Sequence, residues 1–537
     1  MENREYDVVI IGSGMGALTL GSLLAQFAEK KVLLLEQHFK AGGFTHVFKR
    51  EGKFLWDVGI HYVGDMHPDS MLRKLFDLVT NGKVDWAEMP KVFEKFVYPN
   101  LSFGVKNEPE EYERDLENLF PQEKEAIRRY FQDVKKVASW HGRHMMLKAL
   151  PPFMDKFGAA IDLLGSSSAL STTKEYLDAN FQDEKLKALL CSQWGDYGLP
   201  PSKSSFAIHA LIVAHYLRGG FYPVGGSGHI AQAVQDILKQ HGGKIALFRE
   251  VQEIIMEGNK AVGVKVLNRR KSEEEGRPVE ETYFAPAIAS NAGAYNTFLK
   301  LLPASAKIPF RKELQDFAEQ NPLTTNVTLY LGLKDDPRKL GFFGENHWIY
   351  SSFDHDKNFE EGHKWTEGSA IPGVYLSFPS LKDPQAHAPT AEIIAFCDYK
   401  FFEPWKNQPW KERDSEYKAK KQTLIDRLLN YVEERYPGFK KIVEYTELST
   451  PITTEHFTLH QNGTIYGLPC VPDRFRESKA PWFSPTTPIE NLYLTGADAA
   501  SPGVSGAMMG GVSAFARISG GITLLQLFKK AGARKVG

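Results

Sequence analysis

Apolar residues open the chain at two alternating periods. Val8–Ile11 is a β-branched run. After the turn "GSGMGA", Leu20, Leu23, Leu24 and Phe27 fall on one side of a helical pattern, and "KVLLLE" returns to a strand-length run. This order predicts a β-α-β unit. From about residue 80 to 217 the pattern shifts to aromatic, charged, helix-length segments such as "YERDLENLFPQEKEAIRRYFQDVKKVASW", which predict a helical cap and not more parallel sheet. A second glycine cluster, "RGGFYPVGGSGHIAQAVQDILKQHGGKIAL", restores turn, helix and strand. "VQEIIMEGNKAVGVKVLN" then reads as two strands around a Glu-Gly-Asn turn, and "RRKSEEEGRPVEE" as a solvated hairpin loop. Residues 300–480 mix strand-like pieces ("TTNVTLYLGL", "AEIIAFCDY") with one amphipathic helix carrying Leu424, Ile425, Leu428, Leu429 and Val432, which reads as packing alone. The strand "NLYLTGAD" and the small-residue helix "GVSGAMMGGVSAFARISGG" close the chain.

Composition narrows the setting. A chain of 537 residues exceeds what one core organises, so at least two substructures are expected. Lys+Arg 65 against Asp+Glu 66 leaves a formal charge of -1 and no global field for nucleic acid, which is not an expected partner. Cys191, Cys397 and Cys470 lie far apart without a C-x-x-C pair, against a disulfide framework, a zinc site or a dithiol centre. The first strand begins by Val8, leaving no room for a signal peptide, and no apolar run reaches the roughly 18 to 20 residues of a bilayer span. The expected setting is cytoplasmic, soluble or peripheral on the inner membrane face.

Four features in register point to a dinucleotide, and to FAD in particular. Gly12 permits the tight turn, Gly14 a close backbone approach to pyrophosphate, and Ala17 close helix–sheet packing, with the helix N-terminus facing the anion. Glu36 ends the next strand, where its carboxylate can accept from a ribose diol and disfavours a 2′-phosphate. Gly42-Gly43 adds a second backbone approach, more typical of flavin than of nicotinamide sites. Near the C-terminus, Asp498 offers a partner for a polyol chain, and a helix beginning near Gly503 to Gly506 offers its N-terminus to charge building on a reduced isoalloxazine.

"EQHFKAGG" (36–43), "DVGIHYVG" (57–64), "GGFYPVGGSGHIA" (219–231), "ASNAGAYNTFLKLLP" (289–303), "GTIYGL" and "NLYLTGADAASPGVSGAMMGG" resemble the phytoene desaturase superfamily, in its branch of retinol saturases and carotenoid isomerases. The resemblance runs nearly end to end. It implies an α/β, amine-oxidase-like architecture: a discontinuous Rossmann-like FAD-binding domain over 1–80, 218–300 and 485–537, and an α+β substrate domain with a helical cap over 81–217 and 301–484. By this likeness Gly12, Gly14, Glu36, Gly43, Val251, Gly496 and Asp498 would hold FAD, with Val251 contacting adenine through its backbone. Met15, Gly16, Ala17, Gln37, Gly42, Gly59, His61, Asn291, Gly503, Gly506 and Ala507 complete the expected cofactor set. The sequence departs from the pattern at Ala17, at "PVGG" (223–226), where "PRGG" is common, and at "GADAASPG", where the reductases tend to read "GQD". The last two lie where flavin or polyene would be contacted.

Flavin chemistry in an apolar tunnel requires from the protein only orientation, charge stabilisation and at most a proton. His61, Tyr62 and Tyr222 are the candidate catalytic residues. Either His61 or Tyr62 could donate a proton or merely pack on the ring, and Tyr222, beside Arg218 at the middle glycine turn, is a second candidate. Asp57 reads as a loop-fixing residue. His209 and His215, six apart, do not share a helix face and read as packing or surface residues, and no metal is expected. The stretch 140–165, mixing Met, Phe and Leu with Arg143, Lys148 and Lys156, suits either a bilayer interface or a cover on the substrate channel, and the tail "LLQLFKKAGARK" is similar. The expected function is FAD-dependent saturation or isomerisation of a carotenoid- or retinoid-like lipid. The alternatives are a polyunsaturated fatty acid isomerase or desaturase, a flavin amine oxidase, and a flavin-free prenyl-lipid binder of the GDP-dissociation-inhibitor type. With one dinucleotide fingerprint, a separate electron donor or acceptor (a reductase, quinone or oxygen) is implied.

Overall fold

The computed structural model describes residues 5–149, 166–476, 478–522 and 526–529. Its centre is a five-stranded parallel sheet in the order Lys244–Ala246, Val32–Leu35, Val8–Ile11, Ala287–Ser290, Leu492–Leu494. Ile10 pairs with Leu34 on one side and Ala289 on the other. The apolar runs seen in the sequence are buried on both faces, as parallel strands covered by helices must be. The chain leaves Val8–Ile11 in both lateral directions, so a crevice opens at the carboxyl end of that strand, beside Ala287–Ser290, the usual place for a ligand in such sheets.

Helices Met15–Ala28 and Gly503–Ile518 cover this sheet in contact with each other, and Gly228–Gln240 packs beside the first. The C-terminal helix lies close against the backbone of the first helix as well as its side chains. A methyl group added at Gly511 would sit 2.6 Å from the Gly16 carbonyl oxygen and 2.7 Å from Thr19 Cβ. Its small-residue composition is thus a packing requirement that ties Gly511 to Gly16, near the opposite end of the chain.

A seven-stranded mixed sheet forms the second layer, in the order Val443–Ser449, Thr325–Leu333, Thr390–Cys397, Gly373–Ser377, Asn346–Tyr350, Val92–Tyr98, Leu101–Lys106. Only Asn346–Tyr350 and Val92–Tyr98 pair in parallel. The amphipathic helix, Ser415–Glu433, buries its five apolar residues in the core of this layer, as expected.

Two local expectations are corrected. The stretch after residue 80 is not helical throughout: Val92–Tyr98 and Leu101–Lys106 join the large sheet, Trp86–Glu88 pairs with Gly220–Pro223, and helices begin only at Pro109. The alternation in "VFEKFVY" is hidden because Glu94 is fully buried in this strand, so a polar letter stands at an inward position. The charge run after Asn268 is a short helix, Arg269–Glu275, joining two antiparallel strands. The Asn268 side chain accepts from Lys271 N–H to start it, and Gly276 ends it in the left-handed region.

Of the segment expected at a membrane or over the channel, 150–165 lies outside the described residues, as do 524–525 and 530–535 of the tail. The described part, to Ala149, continues helix Lys124–Ala149, with Trp140 and Met145 buried. Among the described residues no helix is long and apolar enough to cross a membrane.

Gly511→Val tests the helix contact. The gain in helix propensity over glycine is under about 1 kcal/mol, whereas overpacking against fixed backbone costs about 1–3 kcal/mol. The urea midpoint is therefore expected to fall.

Candidate functional site

One cavity of about 470 Å³ links the two layers. It starts at the sheet's carboxyl edge, where three backbone segments converge. Gly12 turns with φ 89° and Gly43 with φ 55°, both favouring glycine. A methyl group on Gly43 would lie 2.9 Å from Gly14 Cα, and one on Gly14 would lie 2.7 Å from Asn291 Nδ2. Gly12, Gly14, Met15, Gly16 and Asn291 line this end, with Glu36, Gln37 and Val251 farther along it. Gly43, Gly59 and His61 line its middle, opposite Asp498, Gly503 and Ala507 at the start of the C-terminal helix. Ala17, Gly42, Gly496 and Gly506 do not line it. Gly42 N–H donates to Ser13 Oγ (3.0 Å), and Gly496 backbone lies against Gly16 and Gly510, where any Cβ would clash.

Two carboxylates are fixed by backbone donors. Glu36 Oε2 accepts from Ser13 N–H (2.9 Å) and Oγ–H (2.6 Å), and its Oε1 accepts from His38 N–H (2.8 Å); burial pushes its carboxyl up. Asp498 accepts from Ala294 N–H (2.8 Å) and Leu468 N–H (2.9 Å), with Arg474 at 3.8 Å. It therefore holds two loops together as well as facing the cavity. Thr495 Oγ1 and Asn296 Oδ1, on cavity-lining residues, have no hydrogen-bond partner among the described residues.

Past His61 the cavity opens onto the seven-stranded sheet and becomes aromatic, with Trp194, Trp348, Tyr350, Tyr375, Phe396 and Tyr466 around a single carboxyl, Asp196. Tyr62 stands outside the lining: its hydroxyl donates to Asp196 Oδ2 (2.6 Å) and its ring stacks on Tyr216. Tyr222 is also outside, donating to Asp57 Oδ2, while Asp57 Oδ1 accepts from Ser227 N–H (2.7 Å), so Asp57 does fix the loop. Arg218 is exposed beside Asp69. His209 bridges the hydroxyls of Tyr130 and Tyr197, and His215 Nε2 accepts from Gly64 N–H (2.9 Å); both are packing residues.

Behind the aromatic wall lies a polar cluster that sequence reasoning missed. His61 Nδ1 is 2.7 Å from Glu392 Oε2, on a residue with no exposed surface. Lys382 Nζ donates to the His61 carbonyl oxygen (2.9 Å), Ser377 Oγ (2.7 Å) and Asn346 Oδ1, and Asn346 Nδ2 donates to Glu94 Oε1 (3.1 Å). Burial governs the protonation of all three outlying groups. It lowers Lys382 to about 8, raises Glu94 to about 8 with help from the nearby Asp196, and raises Asp196 to about 7. The available signal was a charged residue inside an apolar run, Glu94 in "VFEKFVY" and Glu392 in "AEIIAFC"; nothing local marked Asp196 or Lys382.

Residues 10–78 match the family model of an NAD(P)-binding Rossmann-like domain. The all-trans-retinol 13,14-reductase of Danio rerio is 32% identical over 530 residues, covering 95% of this chain and 85% of that protein. The chain belongs to the all-trans-retinol 13,14-reductase family. Prolycopene isomerase 1, chloroplastic, from an Oncidium hybrid cultivar is a more distant relative of this reductase-family chain, 27% identical over 521 residues, with 94% of the chain and 81% of that protein covered. The solved structure of cyclohexylamine oxidase from Brevibacterium oxydans IH-35A shares the fold at TM-score 0.60 and 13% identity, covering 96% of this chain and 98% of that one. The resemblance read from the motifs and the amine-oxidase-like architecture are both borne out, and this reductase-family member is an oxidoreductase.

The raised carboxyl of Glu94 gives a pH signature. The folded state holds its proton up to about 8, whereas the unfolded chain releases it near 4.5, so this share of stability is present below 4.5 and is lost as pH rises through 8. Between about pH 7 and 8.5 the thermal midpoint of wild type is expected to fall, and that of Glu94→Gln to fall less. Circular-dichroism melts across that window check it.

Proposed function

We propose that this protein is an FAD-dependent oxidoreductase that saturates or isomerises a double bond of a long conjugated lipid of the retinoid or carotenoid kind. The observation that carries the reading is the continuity of the cavity, from a side-chain-free glycine cradle, past a helix N-terminus, into an aromatic chamber. The residues present fit the cofactor. Backbone at Gly12, Gly14 and Gly43 leaves room for pyrophosphate, and Glu36 stands where a ribose diol would donate. Val251 would offer backbone to adenine. The N-terminus of helix Gly503–Ile518, lining the cavity through Gly503 and Ala507, would stabilise negative charge on the ring, and the partnerless Thr495 hydroxyl would gain an acceptor or donor there.

Bound FAD supplies hydride or electron transfer at N5. The chain's own residues orient the substrate and exclude water: Trp194, Trp348, Tyr375 and Phe396 give a polyene flat apolar faces, and His61 marks the passage between cradle and chamber. Reduction of the flavin falls to a separate donor, since the chain has one dinucleotide fingerprint. The prolycopene isomerase relationship supports isomerisation as the second outcome on the same frame.

Reconstitution with FAD, anaerobic photoreduction and addition of retinol and carotenoids test the reading. Flavin reoxidation with loss of one conjugated bond is expected for a saturase, and a changed polyene spectrum with flavin still reduced for an isomerase. Protein that takes up no flavin would overturn the proposal. Gly14→Val, which fills the cradle, is expected to weaken FAD binding at least about tenfold, or about 1.4 kcal/mol, as read by flavin fluorescence titration.

A further inference from the structure

The geometry points to Asp196 as the proton donor for double-bond saturation, with Tyr62 as the residue that positions its carboxyl. This rests on the function proposed above and adds to it a residue outside the glycine motifs. In the aromatic chamber Asp196 is the one carboxyl among the described lining residues. Its Oδ2 accepts from the Tyr62 hydroxyl at 2.6 Å, on the far side of the wall. Farther behind it Glu94 Oε1 accepts from Asn346 Nδ2, and Asn346 Oδ1 accepts from Lys382 Nζ. The Tyr62 hydrogen bond therefore fixes a carboxyl that faces the substrate space.

The surroundings keep that terminal group an acid. Burial is the largest influence on Asp196 and raises it to about 7; the Tyr62 hydrogen bond, which favours the carboxylate, works against this. A carboxyl so placed is poised to give a proton near neutral pH, the condition for efficient general-acid catalysis. In the saturation, one carbon of the double bond takes the hydride supplied by reduced flavin, with both its electrons, and the neighbouring carbon takes the Asp196 proton. Two C–H bonds form, the π bond breaks, the flavin ends oxidised and Asp196 ends as a carboxylate. The Tyr62 hydroxyl, donating to Oδ2, stabilises that carboxylate until water reprotonates it once product has left. His61 lines the same passage, but its Nδ1 is turned to Glu392 and its carbonyl is held by Lys382, which suits a positioning role.

The test uses the full chain, first without substrate. Infrared spectra at neutral pH should show a protonated carboxyl band that Asp196→Asn removes. In wild type that band should titrate away as pH rises through about 7. Tyr62→Phe removes the bond that favours the carboxylate, so the titration should move to higher pH. With FAD bound and all-trans-retinol as the probe, Asp196→Asn should lower kcat by at least about 100-fold while KM and flavin affinity change little. The alkaline limb of kcat in Tyr62→Phe should move with the infrared titration. Wild-type turnover by Asp196→Asn, or a limb that stays in place in Tyr62→Phe while the infrared titration moves, overturns the donor role alone. If wild type saturates no polyene at all, the proposed function falls and the donor role with it. Where Asp196→Asn does not fold, the Tyr62→Phe shift decides.

Discussion

Backbone must touch backbone where the opening turn, the turn at Gly496 and the C-terminal helix meet, and the rest of the structure depends on that contact. A side chain at Gly16, Gly43, Gly510 or Gly511 would meet main-chain atoms at less than ordinary contact distance. Main chain cannot move aside as a flexible side chain can, so the constraint selects glycine at both ends of the sequence. It also explains why the central sheet is assembled from segments as distant as Val8–Ile11 and Leu492–Leu494. Once the helices lie this close, the crevice at the sheet's carboxyl edge is walled by amides and helix N-termini, which is the surface an anionic group requires.

The other end of the cavity works by the opposite means. There the wall is aromatic and the polar groups are side chains, removed from water by the seven-stranded sheet. An isolated charge in such a place is expensive, and the chain meets the cost by pairing and by neutralisation. Lys382 is enclosed by three oxygen acceptors, and the carboxyls of Glu94 and Asp196 are raised toward neutral pH. The same burial thus acts on both carboxyls: it makes Glu94 a liability at alkaline pH and raises Asp196, which faces the chamber, to about 7.

How much of this was legible follows from the range of the interactions. The strands of the parallel sheet, the glycine turn and the small-residue helix were readable because each rests on a local period or on a glycine that backbone approach demands. Strand Val92–Tyr98 was not, because Glu94 breaks its apolar alternation for a reason that exists only once Asn346 is beside it. The same divide runs through the site. Gly12, Gly14, Glu36, Asn291 and Asp498 were found in motifs and line the cavity, whereas Asp196, Lys382 and Glu392 come from separate segments brought together by long-range pairing. Tyr62 and Tyr222 were singled out by nearness to motif residues along the chain, but their hydroxyls turn to Asp196 and Asp57 behind the wall.

His61 joins the two halves. Its side chain lines the passage, its ring nitrogen meets Glu392 from the large sheet, and its carbonyl oxygen accepts from Lys382, so one residue of the loop after strand Phe54–Asp57 is gripped by both carboxylate and ammonium. Any displacement of that loop would move the boundary between cradle and chamber and at the same time deprive Lys382 of an acceptor it cannot replace from water. The geometry of the passage is therefore tied to the charge balance of the cluster behind it.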